Sequence, residues 1–490
     1  MDKISLHYSE NIISRKKGRA EQILSFFMVV ENLDYNKQVE VNWCGEDGNW
    51  HTLTASFHSK LDAEREYWAA TVVSHASAIK SLPGNIEFNL CYQSKGSFYW
   101  DNNNGDNYLS EADSGVRLCA RTGLQAIHFS RDFAPKQKFV PITVAVSNQL
   151  FARAVTVHWT VDNWRHTQTA ACHYQRRYWD KKHHSNARNP NQYGVAIWKT
   201  WLRVGDAFRL EYSICCESGS QTTWDNNFGY NYAITRKPLQ LMILNLHCRQ
   251  EPQQDEKLSL IAQAITDHQV DVVCFQEVAE EWNEGMGDWQ TNTAKIINDR
   301  LPEPFHIYAD WSHLGFERYR EGLAILSRYP VLQESALYVS DSQDPYSIDA
   351  RKVLMVEIAV PYIGRVNVYS AHLSWWENGF AKQFKRLHEW AQHNHQPTTF
   401  ATLLCGDFNV AVDTQGYQLV MNLNCYEDPY PTAKAGQGVQ SSADNEYRID
   451  YVFVHHLSQV QAVHAHALFT EGDYGKVSDH SGYIMTFEPK

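Results

Sequence analysis

The chain has 490 residues, 43% of them hydrophobic and 20% charged, with a formal net charge of −12. That length and balance describe a globular protein of two to four domains and exclude a disordered or fibrous chain. The charge is unevenly divided: residues 239–490 carry 17 Lys and Arg against 33 Asp and Glu, and the preceding 238 residues carry 27 against 23. An acidic C-terminal half suits a divalent metal and a small substrate. It argues against a nucleic acid, whose binders contact phosphates through Lys and Arg.

From the N-terminus, Met1–Ala20 is polar and of mixed charge, and residues 1–24 read as an extension with no targeting segment. The apolar run Ile23–Val30 is too short to span a membrane. A cytoplasmic location without membrane attachment follows as the expectation. The ten cysteines are scattered with no CxxC pair, as expected of buried reduced thiols.

An internal repeat comes next. Val30–Trp43 aligns without gaps to Val146–Trp159, and a second tryptophan, Trp50 or Trp164, follows each. Each copy closes on a near-identical stretch, Tyr99-Trp-Asp-Asn-Asn-Asn-Gly-Asp-Asn-Tyr108 and Thr223-Trp-Asp-Asn-Asn-Phe-Gly-Tyr-Asn-Tyr232. The second copy is longer, with a loop insertion expected near Lys181–Gln192. Alternation as in Val39/Val41/Trp43 and Phe208/Leu210/Tyr212 has the period of half-buried strands. Two β-sandwiches are therefore expected at 25–110 and 139–236, with 111–138 as a linker.

After Pro238 the pattern changes. Leu239–Leu246, Val270–Phe275, Gly322–Leu326, Val353–Ala359, Val366–Ser370, Thr402–Cys405 and Tyr451–Val454 are apolar runs that read as buried strands. Lys257–Thr266 has helical spacing. Fully apolar strands alternating with helices predict a layered α/β domain over 239–490. Polar residues stand at the ends of these strands: Asn245, Gln276-Glu277, His372, Asp407, Asn409, Asp450 and Asp479-His480.

The ordered segments Ile243-Leu-Asn-Leu-His, Phe275-Gln-Glu-Val, Gly322-Leu-Ala-Ile-Leu-Ser, Ser370-Ala-His-Leu, Cys405-Gly-Asp-Phe-Asn, Arg448-Ile-Asp-Tyr-Val and Val477-Ser-Asp-His-Ser resemble the signature of the endonuclease/exonuclease/phosphatase superfamily. The resemblance implies a four-layer α/β sandwich of deoxyribonuclease I type and metal-dependent hydrolysis of a phosphate ester. Carried onto this chain, it makes Glu277 and Asn245 the metal site for Mg²⁺, with Mn²⁺ as the alternative. Asp407 handles the attacking water, Asn409 donates to a phosphate oxygen, and His372 and His480 steady the phosphoryl charge. His480 is taken as paired with Asp479, and Asp450 orients one of the two histidines. Many superfamily nucleases carry an acid where this chain has His247, so a second metal site built from that position is not expected.

Two further resemblances bear on substrate. Trp375 and Trp376, next to a catalytic His, are candidates to stack on a sugar, and the His372-Leu-Ser-Trp-Trp stretch is similar to that of maltose 6'-phosphate phosphatases of the same superfamily; Arg351-Lys352, just before a strand, is a candidate contact for a terminal phosphate. Each N-terminal repeat resembles the family 21 starch- and glycogen-binding module. That implies glucan contacts at Trp50, Tyr99, Asn103, Asn107 and Tyr108 in the first copy, and at Trp164, Asn227, Asn231 and Tyr232 in the second. Trp100 and Trp224 are expected in the sandwich cores. The joint expectation is a phosphatase acting on a phosphorylated maltose or α-glucan, held near starch- or glycogen-type polymer. The alternatives are a nuclease or phosphodiesterase of the same superfamily, and an inactive glucan-binding scaffold.

Overall fold

A computed structural model describes residues 3–77, 81–119, 122–219, 221–283, 285–435 and 448–490. These divide into two units, Met1–Arg236 and Lys237–Lys490.

The first unit holds two β-sandwiches. In the first, Ile4–Lys16, Arg19–Glu31, Ser56–Lys60, Arg65–His75 and Gly115–Leu118 form one sheet. Lys37–Cys44, Trp50–Thr54, Ile86–Ser94, Ser97–Asp101 and Tyr108–Ser110 form the other. Alternation along Lys37–Cys44 sends Val39, Val41 and Trp43 into a core with Phe26, Met28, Phe88 and Leu90. The second sandwich repeats the scheme around Val155, Val157, Trp159, Leu210, Tyr212 and Ile214.

Residues 1–24, expected as an extension, instead supply a 13-residue strand, Ile4–Lys16, and the start of the next. Residues 111–138, expected as a linker, supply a strand to each sandwich: Gly115–Leu118 pairs with Ile4–Lys16, and Leu124–Ile127 pairs with Phe139–Ser147. The first strand hid from pattern reading because both of its faces are covered. Ile4 and Leu6 join the sandwich core. Tyr8 and Ile12 join a second apolar cluster with Phe27, Tyr67, Ile127, Ala145, Trp179 and Ile197, drawn from both sandwiches. Two of its buried polar residues have partners, Glu10 against His128 at 2.8 Å and Asn11 accepting from Gln22 at 2.9 Å. Helix Tyr178–His183 leads into the expected loop insertion, and its fully buried Trp179 sits in that shared cluster.

The second unit stacks two mixed sheets. One has seven strands, ordered His306–Gly315, Tyr319–Ser327, Val272–Asn283, Leu239–Asn245, Gly482–Pro489, Val460–Leu468, with Met286–Asp288 beside Val272–Asn283. The other is ordered Val331–Tyr338, Lys352–Val360, Gly364–His372, Thr399–Asp407, Asp450–His455, Tyr426–Glu427. Helices Gln254–Asp267 and Thr293–Asp299 cover the first through Leu258, Ile261, Ile265 and Ile297. Helix Phe380–Asn394 covers the second through Phe380, Phe384 and Leu387. The result is the expected four-layer α/β sandwich. All ten cysteines are unpaired thiols, seven of them buried. Among the described residues no helix is long and apolar enough to cross a membrane.

Candidate functional site

Strand alternation decides what faces the space between the sheets. In Leu239–Asn245, Met242 and Leu244 face the helices, which leaves Leu241, Ile243 and Asn245 on the other side. In the second sheet Tyr369 and Ala371, Leu404, and Tyr451 and Phe453 face the helices. Ser370 and His372, Cys405 and Asp407, and Asp450 therefore face inward. Register brings the ends together: His372 lies opposite Asp407, and Asp407 opposite Asp450. Across the gap Gln276 donates to Ser370 Oγ at 3.0 Å, and Ser370 donates to the Phe275 carbonyl at 3.2 Å.

Glu277 reaches this cluster through a β-bulge. Phe275 pairs with Ala324 and Val278 with Gly322, so Gln276 and Glu277 together oppose the single residue Leu323. Glu277 takes a left-handed backbone, φ 48°, an unfavourable conformation of the kind that concentrates at functional sites. Gly406 is held open for the same region: a Cβ there would lie 2.1 Å from the Ala371 carbonyl and 2.9 Å from Gln276 Nε2, at φ 128°.

The polar atoms interlock. Fully buried Asn245 donates to Glu277 Oε1 at 2.9 Å and to Asp407 Oδ2 at 3.1 Å. The Asn409 backbone N–H donates to Asp407 Oδ1 at 2.9 Å, and the Asn409 amide donates to the Leu373 carbonyl at 2.8 Å. His372 Nε2 and His480 Nε2 each lie 3.7 Å from Asp407 Oδ2. His480 Nδ1 is 2.8 Å from Asp450 Oδ2. The partner of His480 is thus Asp450. Asp479, expected in that role, lies instead 3.5 Å from His247, which contacts Glu251 at 2.7 Å.

The two imidazoles differ in charge. Burial, reinforced by the Arg351 cation, pushes His372 down to about 3, so it is neutral. Burial also works against a cationic His480, but the hydrogen bond and charge of Asp450 outweigh it and push the group up to about 10. Burial raises Glu277, and the charge of Glu321 adds to it. Burial and the neighbouring Asp450 raise Asp407.

Glu321 and His313 escaped the sequence reading. They pair at 3.3 Å; burial works to raise Glu321, but the hydrogen bond and charge of His313, with His372 and Cys248 adding to them, together take it down to about 2. Glu321 stands one residue ahead of the Gly322–Ser327 segment, which was the available signal. Ligand atoms of Glu277, His372 and Asp407 lie within 4.8 Å of one another, as do those of Asp407, Asp450 and His480 and those of His247, Glu251 and Asp479. The imidazole at 247 therefore sits in a group able to hold a cation, although no acid occupies that position.

Around the rim, Trp375 is 53% exposed, whereas Trp376 packs on the helix-side core near Phe380. Arg351 donates to the Ile348 carbonyl at 3.0 Å, and its Nε is buried without a partner.

In the repeats, the Trp-Asp-Asn-Asn stretch builds its own loop. Asp101 accepts from the Leu6 N–H at 2.8 Å and from Tyr108 at 2.8 Å, while Asn103 donates to the Asn107 carbonyl at 2.9 Å. Asp225 accepts from Ala126 and Tyr232, and Asn227 donates to the Asn231 carbonyl at 2.7 Å. Tyr232 and Asn227 are buried, and Asn227 accepts from Tyr67 at 2.6 Å. Tyr99 and Tyr108 pack on the first core. Trp164 donates to Glu211 at 2.7 Å. Trp50 is half exposed. Trp100 and Trp224, expected in the cores, are 54% and 45% exposed, because they lie on the solvent face of their sheets. Between Trp50 and Trp100 runs a ladder of polar side chains: Thr52 to Asn42 at 2.8 Å, Asn42 to Asn89 at 3.3 Å, and Asn89 to Asn107 at 3.1 Å.

Comparison with known proteins agrees with this division. Residues 242–480 match the Endonuclease/Exonuclease/phosphatase family, and residues 7–110 and 122–235 each match the carbohydrate/starch-binding module of family 21. Protein phosphatase 1 regulatory subunit 3B of Rattus norvegicus is 28% identical over 104 residues, which are 21% of this chain and 34% of that protein. Its counterpart in Danio rerio is 31% identical over 104 residues, 21% of this chain and 33% of that protein. The chain spans about a third of the length of these curated relatives. Among solved structures, an endonuclease/exonuclease/phosphatase family protein from Leptotrichia buccalis C-1013-b is 23% identical, covering 51% of this chain and 99% of its own, with a TM-score of 0.45. A mannosyl-6-phosphatase from Bacteroides thetaiotaomicron VPI-5482 is 14% identical, covering 51% and 99%, with a TM-score of 0.40.

Proposed function

From a chain that carries two family 21 carbohydrate-binding modules ahead of an endonuclease/exonuclease/phosphatase family domain, we infer a metal-dependent phosphatase for a phosphate monoester of an α-glucoside. Phosphorylated maltose or maltodextrin is the substrate class. The observation that carries this reading is the joining, in one polypeptide, of a buried carboxylate–imidazole cluster to glucan-type modules. The curated relatives are by name regulatory subunits of a phosphatase. Here the module and a phosphatase-type domain share a chain.

The donor set fits a divalent cation. Buried Asp407 and Asp450 and half-buried Glu277 bring three carboxyl groups to the cluster, and Asp450 Oδ1 is buried without a partner. Glu277, steered by Asn245, would hold Mg²⁺, with Mn²⁺ as the alternative. Once bound, the metal neutralises charge on the phosphoryl oxygens. Asp407, fixed by Asn245 and the Asn409 N–H, orients the attacking water and takes its proton. His480, kept cationic by Asp450, donates to a phosphoryl oxygen as charge builds there. Neutral His372 donates from the opposite side of Asp407, and the Asn409 amide offers its second N–H. Exposed Trp375, three residues beyond His372, gives the sugar ring a stacking surface. Arg351 supplies a cation at the rim.

The test is phosphate release from maltose 6'-phosphate, glucose 6-phosphate, a phosphorylated glycogen, a nucleotide and a short DNA, with Mg²⁺ and after chelation. Preference for the phosphorylated maltose or glucan is expected, lost on chelation. Asp407→Ala and His480→Ala should each reduce it by about 10²–10⁴-fold. Full activity in both variants overturns the mechanism, and activity on DNA alone overturns the substrate class.

A further inference from the structure

The catalytic domain has a cavity that the reaction does not use. It occupies about 420 Å³ and is lined by Glu280, Trp289, Asn292, Asp310, Trp311 and Arg320, among others. Strand alternation turns part of its lining, Arg320, Gly322, Glu280 and Val278, away from the phosphoesterase cluster, whereas Asp310 reaches Lys352 of the second sheet. Glu321 and His313 are paired across the two strands on one face, while Arg320 and Gly322 take the other, with Glu280 and Val278 as their register partners.

Its chemistry is specific. Glu280 is neutralised by Arg320 at 3.2 Å and bonded to Asn292 at 3.3 Å, and Asp310 is neutralised by Lys352 at 2.7 Å. Each acid is already matched by a base, so an ion entering the cavity gains no net counter-charge. The Arg320 guanidinium lies 4.8 Å from the Trp282 ring and 4.9 Å from the Trp311 ring, and of these two indoles Trp311 lines the cavity. The Arg320 Nε–H is buried with no acceptor. Trp289 is 41% exposed at the mouth, its indole free for a flat ligand. The Gly287 backbone approaches the pair closely: a Cβ there would lie 2.0 Å from Glu280 Oε1 and 2.4 Å from Arg320 Nη1.

A cavity of that volume lies within the range of small-molecule sites. Indole walls combined with carboxylate, amide and guanidinium groups that are mutually neutralised match a ligand with apolar faces and a hydroxyl rim and no charge. We propose that this cavity binds a neutral oligosaccharide, as an accessory site in the catalytic domain distinct from both N-terminal modules. The proposal does not depend on the phosphatase reading, because it concerns binding without hydrolysis.

The experiment is hydrogen exchange followed by mass spectrometry on the full chain, with and without unphosphorylated maltotetraose. Slower exchange is expected in peptides covering 280–292 and 309–322. Trp289→Ala should raise the saccharide concentration for half-maximal protection of those peptides by roughly tenfold or more. Protection in residues 3–236 should stay as in the parent chain, which shows that the variant is folded and the saccharide active. No slowing in 280–292 and 309–322 at a concentration that saturates the N-terminal modules overturns the proposal. Equal protection in Trp289→Ala overturns it as well. Protection by inorganic phosphate but not by maltotetraose overturns the ligand class.

Discussion

His480 illustrates how much a single contact decides. The sequence places it directly after Asp479, and adjacency suggests that pair. The chain bends at these residues, however, and the partner comes from Asp450, thirty positions earlier in the chain. The register opposite Asp407 determines this, and no local pattern carries that information. Asp450→Asn keeps the size of the side chain and removes its charge. Burial then acts on His480 unopposed by that carboxylate, and the cation that Asp450 sustains is lost. We expect kcat to fall by about 10²–10⁴-fold with KM little changed, since the group acts on charge that develops during reaction. Steady-state kinetics on the preferred phosphorylated sugar checks this. Unchanged kcat would remove His480 from the mechanism. Glu277 makes the same point from the other side. Its identity was legible in Phe275-Gln-Glu-Val, but the bulge that turns it into the site was not, because an extra residue in one strand depends on the pairing of its neighbour.

At the level of elements, the catalytic domain was the more legible half. Its central strands are buried on both faces and read as apolar runs, several of which end in a polar residue that cannot stay between two apolar layers without a partner, whereas the partly exposed strands His306–Gly315, Val331–Tyr338 and Val460–Leu468 carried no such signal. The N-terminal unit was less legible. Ile4–Lys16 carries Ser9, Glu10, Asn11 and Ser14 into a buried setting, so neither alternation nor an apolar run marks it. The insertion in the second repeat was visible by length alone, while its consequence depended on Trp179. That side chain is fully buried in the cluster formed by both sandwiches, beside Gly115, where a Cβ would approach it to 3.2 Å. Trp179→Ala should open a cavity there and cost about 3–5 kcal/mol. Urea unfolding followed by far-ultraviolet circular dichroism is the measurement. A loss below about 1 kcal/mol would mean that the wedge is not what joins the sandwiches.

Over the whole molecule, the division of charge and the division of exposed aromatics point to separate tasks. The net −16 of residues 239–490 is set against +4 in the preceding residues. The repeats expose Trp50 and Trp100 beside a ladder of amides, while the matching loop of the second repeat is tied to Tyr67 through Asn227. Several residues chosen from the sequence as glucan contacts, Asn103, Tyr108, Asn227 and Tyr232, hold their loops closed, so we assign the polymer contact to the exposed sheet face of the first repeat. Such a contact is weak for one sugar and gains through linkage, because a tethered domain meets the rest of the same polymer at high local concentration. The double substitution Trp50→Ala and Trp100→Ala should therefore lower kcat/KM on a phosphorylated polymer by roughly a hundredfold. On maltose 6'-phosphate it should leave kcat/KM unchanged, because a small soluble substrate diffuses to the cluster without help. Parallel rate measurements on the two substrates, with glycogen cosedimentation as the binding readout, distinguish the outcomes. Equal losses on both would place these tryptophans in folding, and intact cosedimentation would move the polymer contact to Trp224 and the second repeat.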